Sequence, residues 1–169
     1  MEIKVYTSDK LGEQFKKYAM RRFGYGRGSI SSAAEEAITR WLIETDRIYT
    51  KIDTILESAK TDKNIIAVFL FGSYARKEYT YRDADVAILV DKNADHQKSL
   101  LKYDNVVGNF ENRIIDISIM NDMPLDIQSR ILNEAVVLYV SEKAKLYDYS
   151  IIILEKWSDF KPRLEMMIN

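Results

Sequence analysis

Apolar and polar positions change rhythm along this chain. The first residues alternate, with Ile3 and Val5 on one side and Glu2, Lys4 and Tyr6 on the other, which is the period of a short strand. From Ser8, a residue suited to an N-cap, Leu11, Phe15, Tyr18, Ala19 and Arg22 recur near helical spacing and predict a helix over about 9–23. Gly24, Gly26 and Gly28 end it. A second helix is predicted over about 31–43 with Ala34, Ala37, Ile38, Trp41 and Leu42 as its apolar stripe. A more polar helical stretch continues onward over about 44–59, with Ile48, Ile52, Ile55 and Leu56 as its apolar face. Beyond a break at residues 61–64 the pattern becomes one of alternating strands and helices. Strands are expected at 65–71, 86–90, 114–120 and 136–140, and helices at 96–110, from Pro124 to about 133, and from Glu142 onward. No internal repeat or low-complexity tract interrupts this order.

With 169 residues, 47% hydrophobic and 30% charged, the chain suits one packed domain, or a small domain beside another. The absence of cysteine excludes disulfides, thiolate metal sites and cysteine nucleophiles, and agrees with a cytoplasmic protein. The N-terminal pattern does not resemble a signal peptide. No apolar run approaches the roughly 20 residues that span a bilayer, so no membrane association is expected. Charge is unevenly placed: residues 1–44 hold 8 basic and 6 acidic residues, leaving 17 basic and 20 acidic in the remainder. A mildly basic head on a mildly acidic body weakly favours nucleic acid near the N-terminus.

The candidate chemistry lies where strands end. The strand at 65–71 runs into Gly72-Ser73-Tyr74-Ala75-Arg76-Lys77, a second strand begins at Asp83-Ala84-Asp85, and a third carries Asp116 between Ile115 and Ile117. Period-2 geometry puts Asp83 and Asp85 on one face. Asp116, a lone acid in an apolar run, should face a cation or a sheet edge, because burying an unpaired carboxylate is costly. Three carboxylates on adjacent strands suit Mg²⁺, a hard cation that shares its coordination with substrate phosphates, and two such ions are possible. Gly72 lets the backbone approach a phosphate, Ser73 offers a hydroxyl and an N–H at a helix start, and Arg76 one turn on can neutralise phosphate charge. Taken singly, a Gly-Ser is usually a turn and an Asp-x-Asp a solvated pair; the ordered combination points to function.

These residues resemble the minimal nucleotidyltransferases of the DNA polymerase β-like superfamily. The likeness runs through Phe71-Gly72-Ser73-Tyr74-Ala75-Arg76, Asp83-Ala84-Asp85 and Ile115-Asp116, and covers about residues 63–169, including Asp159-Phe160-Lys161-Pro162. It implies an α+β fold with a mixed sheet flanked by helices. It also implies Mg²⁺-dependent transfer of a nucleoside monophosphate, AMP from ATP as the first expectation, to an acceptor hydroxyl. By resemblance Gly72 and Ser73 hold the triphosphate, while Asp83, Asp85 and Asp116 bind metal and Asp116 is also the candidate base. Two positions depart from the family pattern: Arg82 replaces the usual Ser before Asp-x-Asp, and Lys77 the usual Gly after Ala-Arg.

Strand, helix, glycine turn, helix over some 44 residues is too small to hold its own core. A dimer pairing the Ile3–Val5 strands would place Lys4 and Tyr6 on a two-stranded ribbon of a size that fits the DNA major groove. Arg27, Ser29 and the amides opening the second helix would meet backbone phosphates. This head resembles the ribbon-helix-helix DNA-binding family over about residues 2–44, carried by Ile3-Lys4-Val5-Tyr6, the Gly24–Gly28 turn and the run from Ser31 to Leu42. A dimerisation arm without DNA is the plain alternative, and Glu2 on the reading face counts against phosphate-rich contact.

The expected organisation is therefore a ribbon-helix-helix head at 1–44, a connecting helix at 45–62 and a minimal nucleotidyltransferase domain at 63–169, forming a homodimer or larger. Together the two resemblances imply an antitoxin that adenylylates a tyrosine of a HEPN-type toxin and represses its own operator DNA. A small-molecule nucleotidyltransferase and a non-enzymatic DNA-binding regulator with a nucleotide-binding domain are the rival readings. His96 is expected on the surface, the 11 tyrosines as core and interface filler, Lys98, Lys102 and Arg113 as a solvated face, and Trp157 with Phe160 as pins between the last helix and the sheet.

Overall fold

The computed structural model describes residues 4–78, 81–108 and 114–168. Its contacts divide the chain into two units, Met1–Arg47 and Ile48–Asn169.

In the first unit Ser8 accepts a hydrogen bond from Leu11 N and opens helix α1 (Asp9–Phe23), and Gly24, at φ 86°, stops it. Helix α2 (Ser29–Thr61) begins after the glycine turn. The helix expected from about 31 and the polar stretch expected to continue it to about 59 form this one element, which ends at Thr61, where the break was expected. With no Gly or Pro between Ser31 and Thr61, nothing local breaks the backbone ladder, and the helix runs on. Arg22 grips Glu36 through two nitrogens, at 2.7 and 2.9 Å, which ties α1 to α2 within this unit. Ala19 is its one buried apolar side chain among the described residues, whereas Tyr6, Leu11, Tyr18, Ile38, Trp41 and Leu42 are exposed. The strand expected near the N-terminus is not present in Lys4–Ser8 of the single chain, and Ile3 lies outside the described residues. A strand ladder needs a partner strand, and the single chain offers none to this segment among the described residues.

The second unit is built on a four-stranded mixed sheet in the order β3-β2-β1-β4, formed by β1 (Ile65–Phe71), β2 (Ala84–Val90), β3 (Ile115–Ile119) and β4 (Val136–Val140). β1 pairs antiparallel with both β2 and β4, while β2 and β3 are parallel. The apolar runs of β1 and β2 read as buried on both faces, and they are. One face, carrying Val68, Leu70, Val86, Ile88, Ile115 and Ile117, packs on Ile48, Ile52, Ile55 and Ala59 of α2 and on Tyr103 and Val107 of α4 (His96–Val107). The other face, with Ala67, Phe69, Ala87 and Leu89, is covered by α5 (Leu125–Glu134) and by Leu146 and Tyr149 of α6 (Lys143–Ile168). A single turn, α3 (Gly72–Ala75), follows β1.

Polar side chains close the open seams. Asn121 copies a strand edge, its Oδ1 accepting from Val90 N at 3.0 Å and its Nδ2 donating to Val90 O at 3.1 Å. Lys102 reaches Asp62 at 2.6 Å, anchoring α4 beside the start of β1. Trp157 and Phe160 do not pin α6 to the sheet as expected. They meet each other and line a groove with Pro124, Leu125 and Asp126 at the start of α5, and Phe160 stays 46% exposed. One face of the sheet is already covered by Leu146 and Tyr149, about two to four turns earlier on α6. No helix among the described residues is long and apolar enough to cross a membrane.

Candidate active site

The site forms where β1 leaves the sheet. Gly72 adopts φ +74°, a conformation that L side chains rarely take, and a Cβ built there would overlap the Asp85 carboxylate. Glycine therefore meets two demands at once: the turn is left-handed, and the chain passes directly over an acid. The turn is closed by Arg76 N donating to Gly72 O at 3.2 Å and Glu78 N donating to Ser73 O at 3.0 Å. Because α3 is a single turn, its dipole is small, and any hold on an anion falls to the Ser73 hydroxyl and nearby N–H groups. Lys77, which departs from the family's glycine, sits at φ 58° and is the one non-glycine residue at positive φ among those described.

Asp85 faces Phe71 across β1 and Asp116 across β3. Both acids alternate with the buried residues Ala84, Val86, Ile115 and Ile117, so they share the sheet face toward α5 and α6. Asp83, expected on the same strand, lies in the bend just before β2. Burial, then the charges of Asp83 and Asp116, push the Asp85 carboxyl above its ordinary value, with Arg76 partly offsetting them. Among the described residues no three acidic or histidine side chains are gathered closely enough to hold a metal ion. The oxygen donor set nevertheless fits Mg²⁺: the backbone puts Asp85 beside Asp116, and Asp85 senses both other charges.

A cleft of about 430 Å³ opens over this turn. It is lined by Phe71, Gly72, Ser73, Ala75 and Arg76 from the end of β1 and its turn, by Arg82, Asp83 and Asp85 around the start of β2, and by Arg130, Ile131, Glu134 and Ala135 from α5 and its end. Asp116 is not part of its lining. Arg76 is held by Glu78 at 2.7 Å. Arg130 and Glu134 are site residues that sequence reasoning missed. Their signal was modest, a charged pair four residues apart on the helix that follows the Asp116 strand, beside the buried Ile131.

The expected DNA-contact residues lie in the first unit. Lys4, Tyr6 and Arg27 are exposed. Ser29 is not: its side chain is buried, and its hydroxyl donates to Gly24 O at 2.5 Å and Gly26 O at 2.9 Å. It staples the glycine turn, leaving only its backbone for a phosphate.

A mixed sheet with a glycine turn laid over an Asp-x-Asp strand, and a further acid on the parallel neighbour, defines a nucleotidyltransferase of the polymerase β type. Residues 51–144 match the family model "Polymerase beta, Nucleotidyltransferase", more than half of the chain, and the protein belongs to that family. A curated relative, described as a candidate protein adenylyltransferase of Methanocaldococcus jannaschii, is 28% identical over 102 residues, covering 59% of this chain and 75% of the relative. Two solved structures share the fold. One, a tri-AMPylated Shewanella oneidensis HEPN toxin in complex with MNT antitoxin, contains a chain that aligns with TM-score 0.53 at 13% identity, over 74% of this chain and 95% of that one. The other, a toxin–antitoxin crystal structure with AMP-PNP, aligns with TM-score 0.52 at 14% identity, over 70% and 94%.

Proposed function

We propose that this nucleotidyltransferase transfers AMP from ATP to a tyrosine hydroxyl of a HEPN-type toxin, acting as the antitoxin of the pair. The observation that carries this reading is the left-handed Gly72 turn packed directly against Asp85, whose register partner on the parallel strand β3 is Asp116. The adenylyltransferase relative and the toxin–antitoxin fold neighbours support the acceptor class.

In the reaction, Gly72 and Ser73 hold the triphosphate against the turn while Arg76 offsets its charge. Asp83, Asp85 and Asp116 would hold Mg²⁺, which supplies charge neutralisation of the phosphates when bound. Asp116 accepts the proton of the acceptor hydroxyl, whose oxygen then bonds to the α-phosphorus. The bond to the bridging oxygen breaks, and pyrophosphate leaves with that electron pair.

The first unit serves as a dimerisation head of ribbon-helix-helix type that binds operator DNA through Lys4, Tyr6, Arg27 and the Ser29 backbone. Its scarcity of buried apolar residues supports a requirement for a second copy.

Co-incubation with ATP, Mg²⁺ and a candidate HEPN-type toxin tests the proposal by intact mass. The toxin should gain one or more AMP masses, and the gain should vanish with Asp85→Ala. A toxin of unchanged mass, under conditions where ATP is bound, would sink the antitoxin reading.

A further inference from the structure

Two arginines in the cleft have no part in the machinery described so far. Arg82, just ahead of Asp83, and Arg130, on α5, line the same cavity from two different elements. Both are exposed, and neither makes a hydrogen bond or ion pair among the described residues. Arg76 differs, since Glu78 already holds its guanidinium. Glu134, one turn beyond Arg130 on the same wall, does not take up Arg130 either. The cleft lined by the glycine turn thus also holds two guanidinium groups without partners among the described residues. A guanidinium is planar and always charged, with paired N–H donors that match phosphate oxygens.

We infer that Arg82 and Arg130 grip the polyphosphate tail of the nucleotide, the part that departs as pyrophosphate, and so set the preference for triphosphates. The α-phosphate must lie near the carboxylates for transfer to occur, so the tail needs its own cations elsewhere in the cleft. Arg76, tied to Glu78, is poorly placed to supply them alone. Charge grows on the departing pyrophosphate as the bond breaks, so donors there strengthen in the transition state as well as in binding. The inference rests on the proposed nucleotidyl transfer, and it assigns Arg82, which replaces the family's usual serine, a role particular to this chain.

The test is calorimetric titration of the full-length protein with inorganic tripolyphosphate, ATP and AMP, for the native chain, Arg82→Ser, Arg130→Gln and Arg130→Lys. Hydrogen bonds to charged groups predict a loss of roughly 10- to 100-fold in tripolyphosphate and ATP affinity for Arg82→Ser and Arg130→Gln. AMP affinity should change by less than about threefold in the same proteins, and Arg130→Lys should restore part of the loss, since charge without the fork is retained. Circular dichroism on each variant separates these losses from unfolding, and both side chains are exposed enough for the fold to tolerate replacement. Tripolyphosphate and ATP affinities equal to the native chain in folded Arg82→Ser and Arg130→Gln overturn the inference while leaving nucleotidyl transfer standing. Failure of the native chain to bind either ligand overturns both. A parallel loss of AMP affinity would also overturn it, by showing a general effect on the cleft.

Discussion

Lys77 holds a backbone conformation that its own side chain disfavours. Left-handed φ costs a non-glycine residue about 1–2 kcal/mol, and Lys77 has no neighbouring asparagine-like hydrogen bond to offset it. Lys77→Gly should therefore raise stability by about 1 kcal/mol, read by urea denaturation, although added chain entropy will consume part of the gain. Gly72→Ala should act in the opposite sense. Its φ of +74° carries the same cost, and the added methyl must displace the Asp85 carboxylate, so both stability and transfer should fall. Asp85 provides the pH signature. Folding raises its pKa above the ordinary 3.8, so the protonated carboxyl is the form the fold favours. That stability is fully present below 3.8 and is lost as pH rises through the folded value. At neutral pH, Asp85→Asn should accordingly raise Tm in metal-free buffer while abolishing transfer. Added Mg²⁺ should raise the Tm of the native protein and leave that of Asp85→Asn nearly unchanged. A lower Tm for Asp85→Asn would contradict the electrostatic account.

At the scale of elements, period and punctuation made most of the second unit legible. β1 and β4 were readable to the residue because long apolar runs are bounded by Asn64, Gly72, Ala135 and Ser141. Helix α1 was equally clear between its Ser8 cap and Gly24. α2 changes polarity near Glu44 without a break, because a change of polarity marks a change of surroundings and not an interruption of the hydrogen-bond ladder. The same change explains why Ile48, Ile52 and Ile55 fill the core beneath the sheet. Ile55→Ala should cost about 2–5 kcal/mol by denaturation, as a buried aliphatic truncation does. Of the site, the turn and the acids could be read because they are contiguous in short motifs. Arg130 and Glu134 could not, since which face of α5 meets the cleft depends on how Ile131 packs against the sheet. The expectation of a DNA-phosphate contact for Ser29 misses its side chain's burial, because nothing local reveals that two glycine carbonyls lie within reach of its hydroxyl.

For the whole molecule, the two units differ sharply in what they bury. The second has a core on both faces of a sheet, whereas the first relies on Ala19 and on the exposed Arg22–Glu36–Arg40 cluster. Exposed ion pairs contribute about 0–1 kcal/mol each, too little to order a 47-residue unit. The head should therefore melt at a temperature that rises with protein concentration, as expected when folding depends on association. A concentration-independent transition for both units would argue against a dimeric head. The central claim concerns the second unit: the cleft transfers a nucleotidyl group, not a phosphoryl group. The most direct measurement supplies ATP labelled at either the α- or the γ-phosphorus, with Mg²⁺ and the proposed HEPN-type acceptor, and follows which label becomes covalently attached. Label from the α position alone, with loss of about 10²- to 10⁴-fold in rate for Asp116→Asn, is the predicted result. Attachment of the γ label, or α-labelling that persists undiminished in Asp116→Asn, would contradict it.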